Sequence, residues 1–381
     1  MALRVAVATN VPPPVLRAYL SPLLQVAEVS EVVLIRDIAN VDSAPKLRVV
    51  TPPAWWPRLL PMKIAARRFL FWWIGRSLRP DVLMVIHWFP DGPAMTRWAR
   101  RYKAPLIVNI IGGPAELIDG GRRFALSSLP RWVKTALQGY QRRWLNRATV
   151  VTVTGERTRQ WYRDNGLAKP PVVTLHAAIE PPPPDAGALP RAVDVAFVGR
   201  RDADKRVDRC FRVLHALGRR RAGTTAVVVG VRGVEINGVE SYRAARQLLG
   251  DNLIVHARVE SIYSLLCRTK ILLVTSDTEG RTLAALEALA CGAAVVATDV
   301  GDLEETITHS GGGITVPLGR DEQQLVDKLA ECVLRLLGSE HERTAMADRG
   351  RGFVARMHSL RQATEDCENI LRLSGAGQGR S

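Results

Sequence analysis

Residues 271–298 read ILLVTSDTEGRTLAALEALACGAAVVAT. Two aliphatic runs, 271–276 and 294–298, flank an Ala/Leu-rich stretch at 281–291 whose length and composition suit a helix. Neither run alternates apolar with polar residues, so both faces of each strand are expected to be buried. Strands of that kind belong to parallel sheets covered by helices on both sides. Outward from this unit the rhythm repeats. Further strands are expected at 194–199, 225–230, 252–257 and 313–316, and in the other half of the chain at 4–9, 32–36, 47–51, 81–87, 105–112, 149–154 and 172–176. Helices are expected between them, near 15–27, 60–78, 93–102, 130–147 and 156–164, then near 205–219, 239–249, 260–268, 302–309, 321–337 and 341–370. The run PPPPDAGALPR at 181–191 reads as a stiff, extended connection. The expected architecture is α/β, with two doubly wound Rossmann-like domains facing a cleft. Its parts are residues 1–180, the 181–191 linker, residues 192–340, and a C-terminal helix and tail at 341–381 packing back toward the first domain. In such sheets ligands bind beyond the carboxyl ends of the strands.

With 381 residues, 47% hydrophobic and 24% charged, the chain has the length and mix of two packed cores. That excludes a disordered tail, a collagen-like fibre and a disulfide-stapled miniprotein. No stretch reaches the roughly 18–20 uninterrupted apolar residues that span a bilayer. The opening MALRVAVATNVPPP offers an apolar run of about six residues, short for the core of a signal peptide, so a first strand and a cytosolic location are expected. Cys210, Cys267, Cys291, Cys332 and Cys367 are odd in number and form no C-x-x-C pair, the pattern of reduced thiols. No metal site is expected.

The 53 Lys and Arg against 37 Asp and Glu leave a formal net charge of +16, and the excess is lopsided. Residues 1–190 hold 26 basic and 12 acidic side chains, residues 191–381 hold 27 and 25. The first half therefore faces something anionic. Its cations keep company with indoles, in WWPRLLPMKIAARRFLFWWIGRSLR at 55–79 and again at 122–147, where Trp132 and Trp144 stand among seven Arg and Lys. Indoles favour the headgroup layer of a membrane and Arg stems snorkel toward phosphates, so an anionic membrane surface is the expected partner. The plainer alternative is a core of aromatics with a solvated basic face. No zinc-finger, RRM or KH signature is present, and nucleic acid is not expected as a partner.

Chemistry concentrates at two places in the second half. After strand 194–199, Gly199 ends the strand and Arg200 and Lys205 follow five residues apart, two cations placed to hold a diphosphate. Asp202 and Asp204 form a D-x-D, which is discounted as a metal site because it lies between those cations. The second place is Ser276-Asp277-Thr278-Glu279-Gly280-Arg281-Thr282-Leu283, which runs into a helix. First-turn amides near Thr282 and Leu283 would face a bound phosphate, with the helix dipole adding to the attraction. Between Thr282 and Thr298, Glu287 is the only charged residue among 17. A carboxylate in so apolar a run needs hydrogen-bond donors, which sugar hydroxyls supply; the alternative is a Glu on the wet face of its helix.

The runs FVGRRDADK, TSDTEGRTLAALEALACGAAVVATDVGDLEETI and GGGITVPLG resemble the donor half of the GT-B glycosyltransferases of family 4, over residues 194–339. Glu279 and Glu287 match the family's Glu-x7-Glu signature, and Arg200 and Lys205 its basic pair. In the first half the likeness is looser and follows the strand–helix–strand pattern of 81–116. The resemblance implies a nucleotide-sugar donor (a UDP- or GDP-sugar), a retaining outcome, and neither cofactor nor metal. Arg200 and Lys205 would hold the diphosphate, Glu279 the donor sugar and Glu287 the ribose, with the Thr282 and Leu283 amides on phosphate. Three positions depart from the family. Ile111-Gly112-Gly113 stands where many members carry a His, Arg281-Thr282 replaces an aromatic–Gly pair, and the first loop is Asn10-Val11-Pro12-Pro13-Pro14 rather than Gly-Gly. His87 at the end of strand 81–87 fits either the catalytic role or a packed residue of the cleft. Gly112, Gly113 and Glu116 are placed on the acceptor side.

The expected activity is transfer of a sugar to a saccharide, most plausibly a lipid-linked one in bacterial surface-polysaccharide assembly, by a protein held peripherally at the inner face of the cell membrane. A nucleotide-sugar epimerase and a non-catalytic sugar-nucleotide-binding subunit stay open as alternatives.

Overall fold

The computed structural model describes residues 2–52, 69–71, 73–74, 78–88, 91–116, 130–167, 169–184 and 190–376. Its contacts divide the chain into two compact units, one from the N-terminus through Ala178 rejoined by the chain from Leu360 onward, the other Ile179–Ser359.

The first unit contains β1 (Leu3–Ala8), α1 (Pro13–Gln25), β2 (Val29–Ile35), β3 (Leu47–Val50), β4 (Val82–Ile86), α2 (Gly92–Tyr102), β5 (Leu106–Asn109), α3 (Arg131–Leu145), β6 (Val150–Val153), α4 (Glu156–Asp164) and β7 (Val172–Thr174). All its strand pairs are parallel, in the order β3-β2-β1-β4-β5-β6-β7. The central strands are Val-, Leu- and Ala-rich and buried along their length, which is why they read as unbroken apolar runs: Val5, Ala6, Val7, Val82, Leu83 and Val85 have no exposed surface.

The second unit contains β8 (Val193–Val198), α5 (Val207–Arg220), β9 (Ala226–Val229), α6 (Gly233–Ile236), α7 (Glu240–Leu249), β10 (Leu253–His256), α8 (Ile262–Leu266), β11 (Thr269–Val274), α9 (Leu283–Ala290), β12 (Ala294–Asp299), α10 (Leu303–Ser310), β13 (Gly313–Pro317), α11 (Glu322–Gly338) and α12 (Glu340–Met357). Its sheet is parallel throughout, in the order β10-β9-β8-β11-β12-β13. Both sheets are thus doubly wound, and each reverses strand order once, between β1 and β4 and between β8 and β11. Those reversals are where two loops diverge and leave room for a ligand.

The helix expected near 60–78 falls mostly on residues outside those described. One helix expectation changes. The single helix expected over 341–370 is two, α12 and α13 (Leu360–Leu373), broken at His358 and Ser359. The break is tertiary in origin. His358 is fully buried, its ring lies 5.7 Å from that of Phe353, and its carbonyl accepts from the Ile179 amide at 2.8 Å. Helix α13 packs on α1, and the Asp366 carboxylate takes both the backbone amide and Nδ1 of His176, at 2.9 and 2.7 Å. Among the described residues no helix is long and apolar enough to cross a membrane.

Candidate active site

In the second unit the loops after β8 and β11 are stitched together. The Thr275 hydroxyl donates to the carbonyls of Lys205 and Arg206 at 3.1 and 3.0 Å, and the Asp277 amide donates to the Asp204 carbonyl at 2.8 Å. Beneath them the buried Arg209 spends its guanidinium on Asp277, Glu322 and the Thr275 carbonyl at 2.7–2.8 Å. Arg206 adds bonds to Asp208, Asp277 and Glu322 and sits in the left-handed region at φ 48°. A charged cluster this well satisfied fixes the backbone rather than waiting for a ligand.

On that base the Lys205 ammonium donates directly to Oε1 of Glu279, and the Ser276 hydroxyl donates to the same oxygen at 2.7 Å. Glu279 is buried, and its loop is braced from behind by the turn after β12, where the Asp302 amide donates to the Gly280 carbonyl at 3.0 Å. Gly301 makes that approach possible. Its φ is +52°, and a Cβ there would lie 1.9 Å from the Glu279 carbonyl oxygen. Three residues past Glu279, Thr282 opens α9 without a side-chain cap and with no acidic residue in the first turn. The start of that helix is therefore available to an anion.

Glu287, half-buried on the otherwise buried α9, has its pKa pushed up to about 7 by burial and, second, by the nearby Glu180. The Arg200 side chain is 66% exposed and pairs with Asp202 at 2.8 Å, while Lys205 is committed to Glu279. Asp204, the other half of the D-x-D, is buried. Gly199 continues β8's pairing, its amide donating to Val229 at 3.0 Å.

In the first unit the candidate residues form one cluster at the β4 and β5 ends. His87 follows β4 with φ 69°, unusual for a residue with a side chain, and its amide donates to the Asn109 carbonyl at 3.0 Å. Its Nδ1 lies 3.2 Å from Oε2 of Glu116, an ion pair whenever the imidazole is protonated. Glu116 also accepts from the amides of Trp88 at 3.2 Å, Ile111 at 2.7 Å and Gly112 at 2.6 Å. Burial raises the Glu116 pKa, but His87 and the backbone donors outweigh it and hold the carboxyl below its ordinary value. Glu116, expected to face the acceptor, is instead buried and occupied with holding His87 and the 111–112 turn. Gly113 presents its carbonyl to the Tyr162 hydroxyl at 3.3 Å. His87 itself is part-exposed, which leaves it open to a substrate.

Sequence reading gave Ser276 no role and noted Arg281 only as a departure from the family's pattern. Ser276 was legible as a hydroxyl three residues before Glu279. Arg281 is buried and turned inward, with Nη1 3.4 Å from Nε2 of His358 and Nη2 3.7 Å from Glu305. That long-range contact left no local signal. Among the described residues no group of three or more His, Cys, Asp or Glu is placed to hold a metal ion.

Comparison with known proteins accords with this geometry. Residues 187–352 match the family described as glycosyl transferases group 1, and residues 25–178 the glycosyl transferase 4-like domain. A glycogen synthase of Mycobacterium tuberculosis is 25% identical over 63% of this chain, which spans 57% of that relative's length. A D-inositol 3-phosphate glycosyltransferase of Saccharomonospora viridis is 31% identical over 48% of this chain and 43% of its own. Among solved structures, the sucrose-phosphate synthase of Thermosynechococcus elongatus superimposes with a TM-score of 0.75 at 17% identity, covering 97% of this chain and 98% of the other. Anabaena HepE, solved with UDP and glucose, superimposes with a TM-score of 0.70 at 15% identity, covering 97% and 99%. The two family matches follow one another along most of the sequence, on two doubly wound sheets, and the chain belongs to the family 4-like GT-B glycosyltransferases.

Proposed function

We propose that the protein is a retaining hexosyltransferase that moves a sugar from a UDP- or GDP-sugar to a lipid-linked saccharide during surface-polysaccharide assembly, at the inner face of the cell membrane. The observation that carries the donor half is the convergence of Lys205, Glu279 and Ser276 on the uncapped start of α9, with Glu287 farther along the same helix. Lys205 is neutralised by Glu279. An incoming diphosphate competes for the ammonium, and the freed Glu279 oxygen becomes an acceptor for hydroxyls of the donor sugar. Arg200, exposed and loosely tied to Asp202, swings onto the same diphosphate, and the α9 amides meet its other oxygens. These donors take the place of a metal in this reading.

As the bond from the sugar C1 to the diphosphate oxygen lengthens, negative charge grows on the leaving group, where these fixed donors lie. Such preorganised stabilisation is usually the largest contribution to catalysis. The acceptor hydroxyl oxygen then bonds to C1 on the face the diphosphate leaves, and its proton passes to the departing phosphate. The first unit supplies the acceptor side, with His87 held by Glu116 and presented beside Gly112 and Gly113.

A lipid-linked acceptor is supported by the charge asymmetry and by helix α3, where Trp132, Ala136, Tyr140 and Arg143 are exposed at spacings of one helical face, with the exposed Arg147 just past its end. Trp132 is 75% exposed, and Phe69 and Trp73 are exposed as well. The names of relatives point the same way: one, 34% identical over 104 residues, is a GDP-mannose-dependent phosphatidylinositol monomannoside mannosyltransferase of M. tuberculosis. The test is incorporation of labelled sugar from UDP- and GDP-sugars into a lipid extract, with the anomer of the product read by NMR. Transfer with the donor's anomeric configuration kept is expected. Donor consumed without an acceptor would point instead to an epimerase, and donor bound but never consumed to a non-catalytic subunit.

A further inference from the structure

Arg36 follows β2 at the carboxyl edge of the first sheet, beside the loop that leaves β1. It is 5% exposed. Nη2 reaches the Val11 carbonyl at 3.4 Å, a long hydrogen bond, while Nε and Nη1 are shut off from water and have no hydrogen-bond partner among the described residues. A guanidinium carries five N–H donors and stays protonated, so a dry and largely unpaired one is among the costlier things a fold can hold. Burial pulls its pKa down, opposed by Asp37.

An arginine kept for structure ends with its donors spent, as Arg209 does on Asp277, Glu322 and Thr275. Arg36 does not. The neighbouring backbone offers little to an anion in its place, because Pro12, Pro13 and Pro14 at the head of α1 have no N–H. The Asp37 amide is already given to Asn10 Oδ1 at 2.8 Å. An anion beside the loop after β1 would therefore be recognised chiefly by the guanidinium. The register aligns Ile35 with Ala8 and Ala8 with Val85, so Arg36 and His87 leave the same edge two strands apart, about 10 Å.

We propose that Arg36 anchors a phosphate ester of the acceptor with the guanidinium donors it leaves unspent, with the hydroxyl to be glycosylated lying toward His87. This deepens the acceptor half of the reading above and rests on it. The phosphate supplies acceptors that these donors lack.

The experiment is a heteronuclear NMR titration of the full chain, following the Arg36 Nε–H cross-peak, which is identified by its loss in Arg36→Met. Should Arg36→Met not fold, Arg36→Lys identifies the same peak. The probes are inorganic phosphate, glycerol 3-phosphate, and phosphatidylglycerol vesicles against phosphatidylcholine vesicles. A saturable shift with the soluble phosphates, absent with chloride at matched ionic strength, assigns a free phosphate ester. A response to phosphatidylglycerol vesicles alone assigns a lipid headgroup. A peak that none of the probes moves overturns the proposal. A second readout is the thermal midpoint without ligand, expected in Arg36→Met at or above the wild-type value because a buried, unsatisfied charge has gone. A fall of several degrees would make Arg36 a structural residue and overturn the proposal as well. Because both readouts report binding or stability, a chain that transfers no sugar still answers this question separately.

Discussion

Glu287 sets a pH dependence of its own. Its pKa stands at about 7 in the folded protein against an ordinary 4.5, so between those values the folded state holds a proton that the unfolded chain has released. The stabilisation is full below the lower value and is lost as pH rises through the upper one, about 3 kcal/mol in all. Glu287→Gln is expected to be more stable than wild type above pH 7 and to flatten the difference between them across that window, read by urea denaturation at a series of pH values. Ribose hydroxyls favour the carboxylate, so donor binding at slightly acid pH is expected to release a proton, visible by calorimetry in buffers of different ionisation enthalpy. Glu116 runs the other way. Its depressed pKa stabilises the fold above the ordinary carboxyl range and is lost on acidification. Glu116→Gln turns an NH2 toward amides that need an acceptor, and a loss of about 2–4 kcal/mol at neutral pH is expected from the same denaturation measurement. Glu279 and Glu287 stood out in the sequence as a pair by their spacing, and Glu287 also by its apolar surroundings. The grip of Glu116 on His87 did not, since it joins residues 29 apart in sequence through the bend after β5.

At the scale of elements, the loop carrying Glu279 has its shape because the turn after β12 presses on it. Gly301→Ala forces a side chain into a left-handed position and against the Glu279 carbonyl. A destabilisation of about 2–3 kcal/mol is expected, together with loss of nucleotide-sugar binding in protein that remains folded, measured by denaturation and by calorimetry. Retained affinity would show that the brace is dispensable. The central strands were readable because they are largely aliphatic runs buried along their whole length, as β4, β5, β6 and β9 are. The end of α12 was not readable. Nothing in the local sequence marks His358 as a stop, and the buried contacts to Phe353, Arg281 and Ile179 impose it. Arg200 shows the same limit in reverse: its spacing from Lys205 can be read in the sequence, and its pairing with Asp202 cannot.

For the whole molecule, the +16 charge concentrated in the first half is an argument about partners rather than about fold. The exposed face of α3 supplies a described surface on which to test it; Arg67, Arg68 and Arg76, the cations that stand out in the sequence, lie outside the described residues. Trp132→Ser with Arg143→Gln is expected to weaken sedimentation with anionic vesicles by roughly tenfold, with wild-type binding itself falling as salt rises. Equal sedimentation of variant and wild type would remove the membrane from the account. The division into two doubly wound units was legible because each half repeats the strand–helix rhythm and a proline run separates them. The most direct test of the central claim, that the second unit is a nucleotide-sugar site, is a thermal-shift screen of UDP-, GDP- and ADP-sugars on wild type, Lys205→Ala and Glu287→Ala. A rise in Tm with one nucleotide class, absent from both variants, is predicted. A wild-type Tm unmoved by all three classes, or a rise that both variants retain, would contradict it.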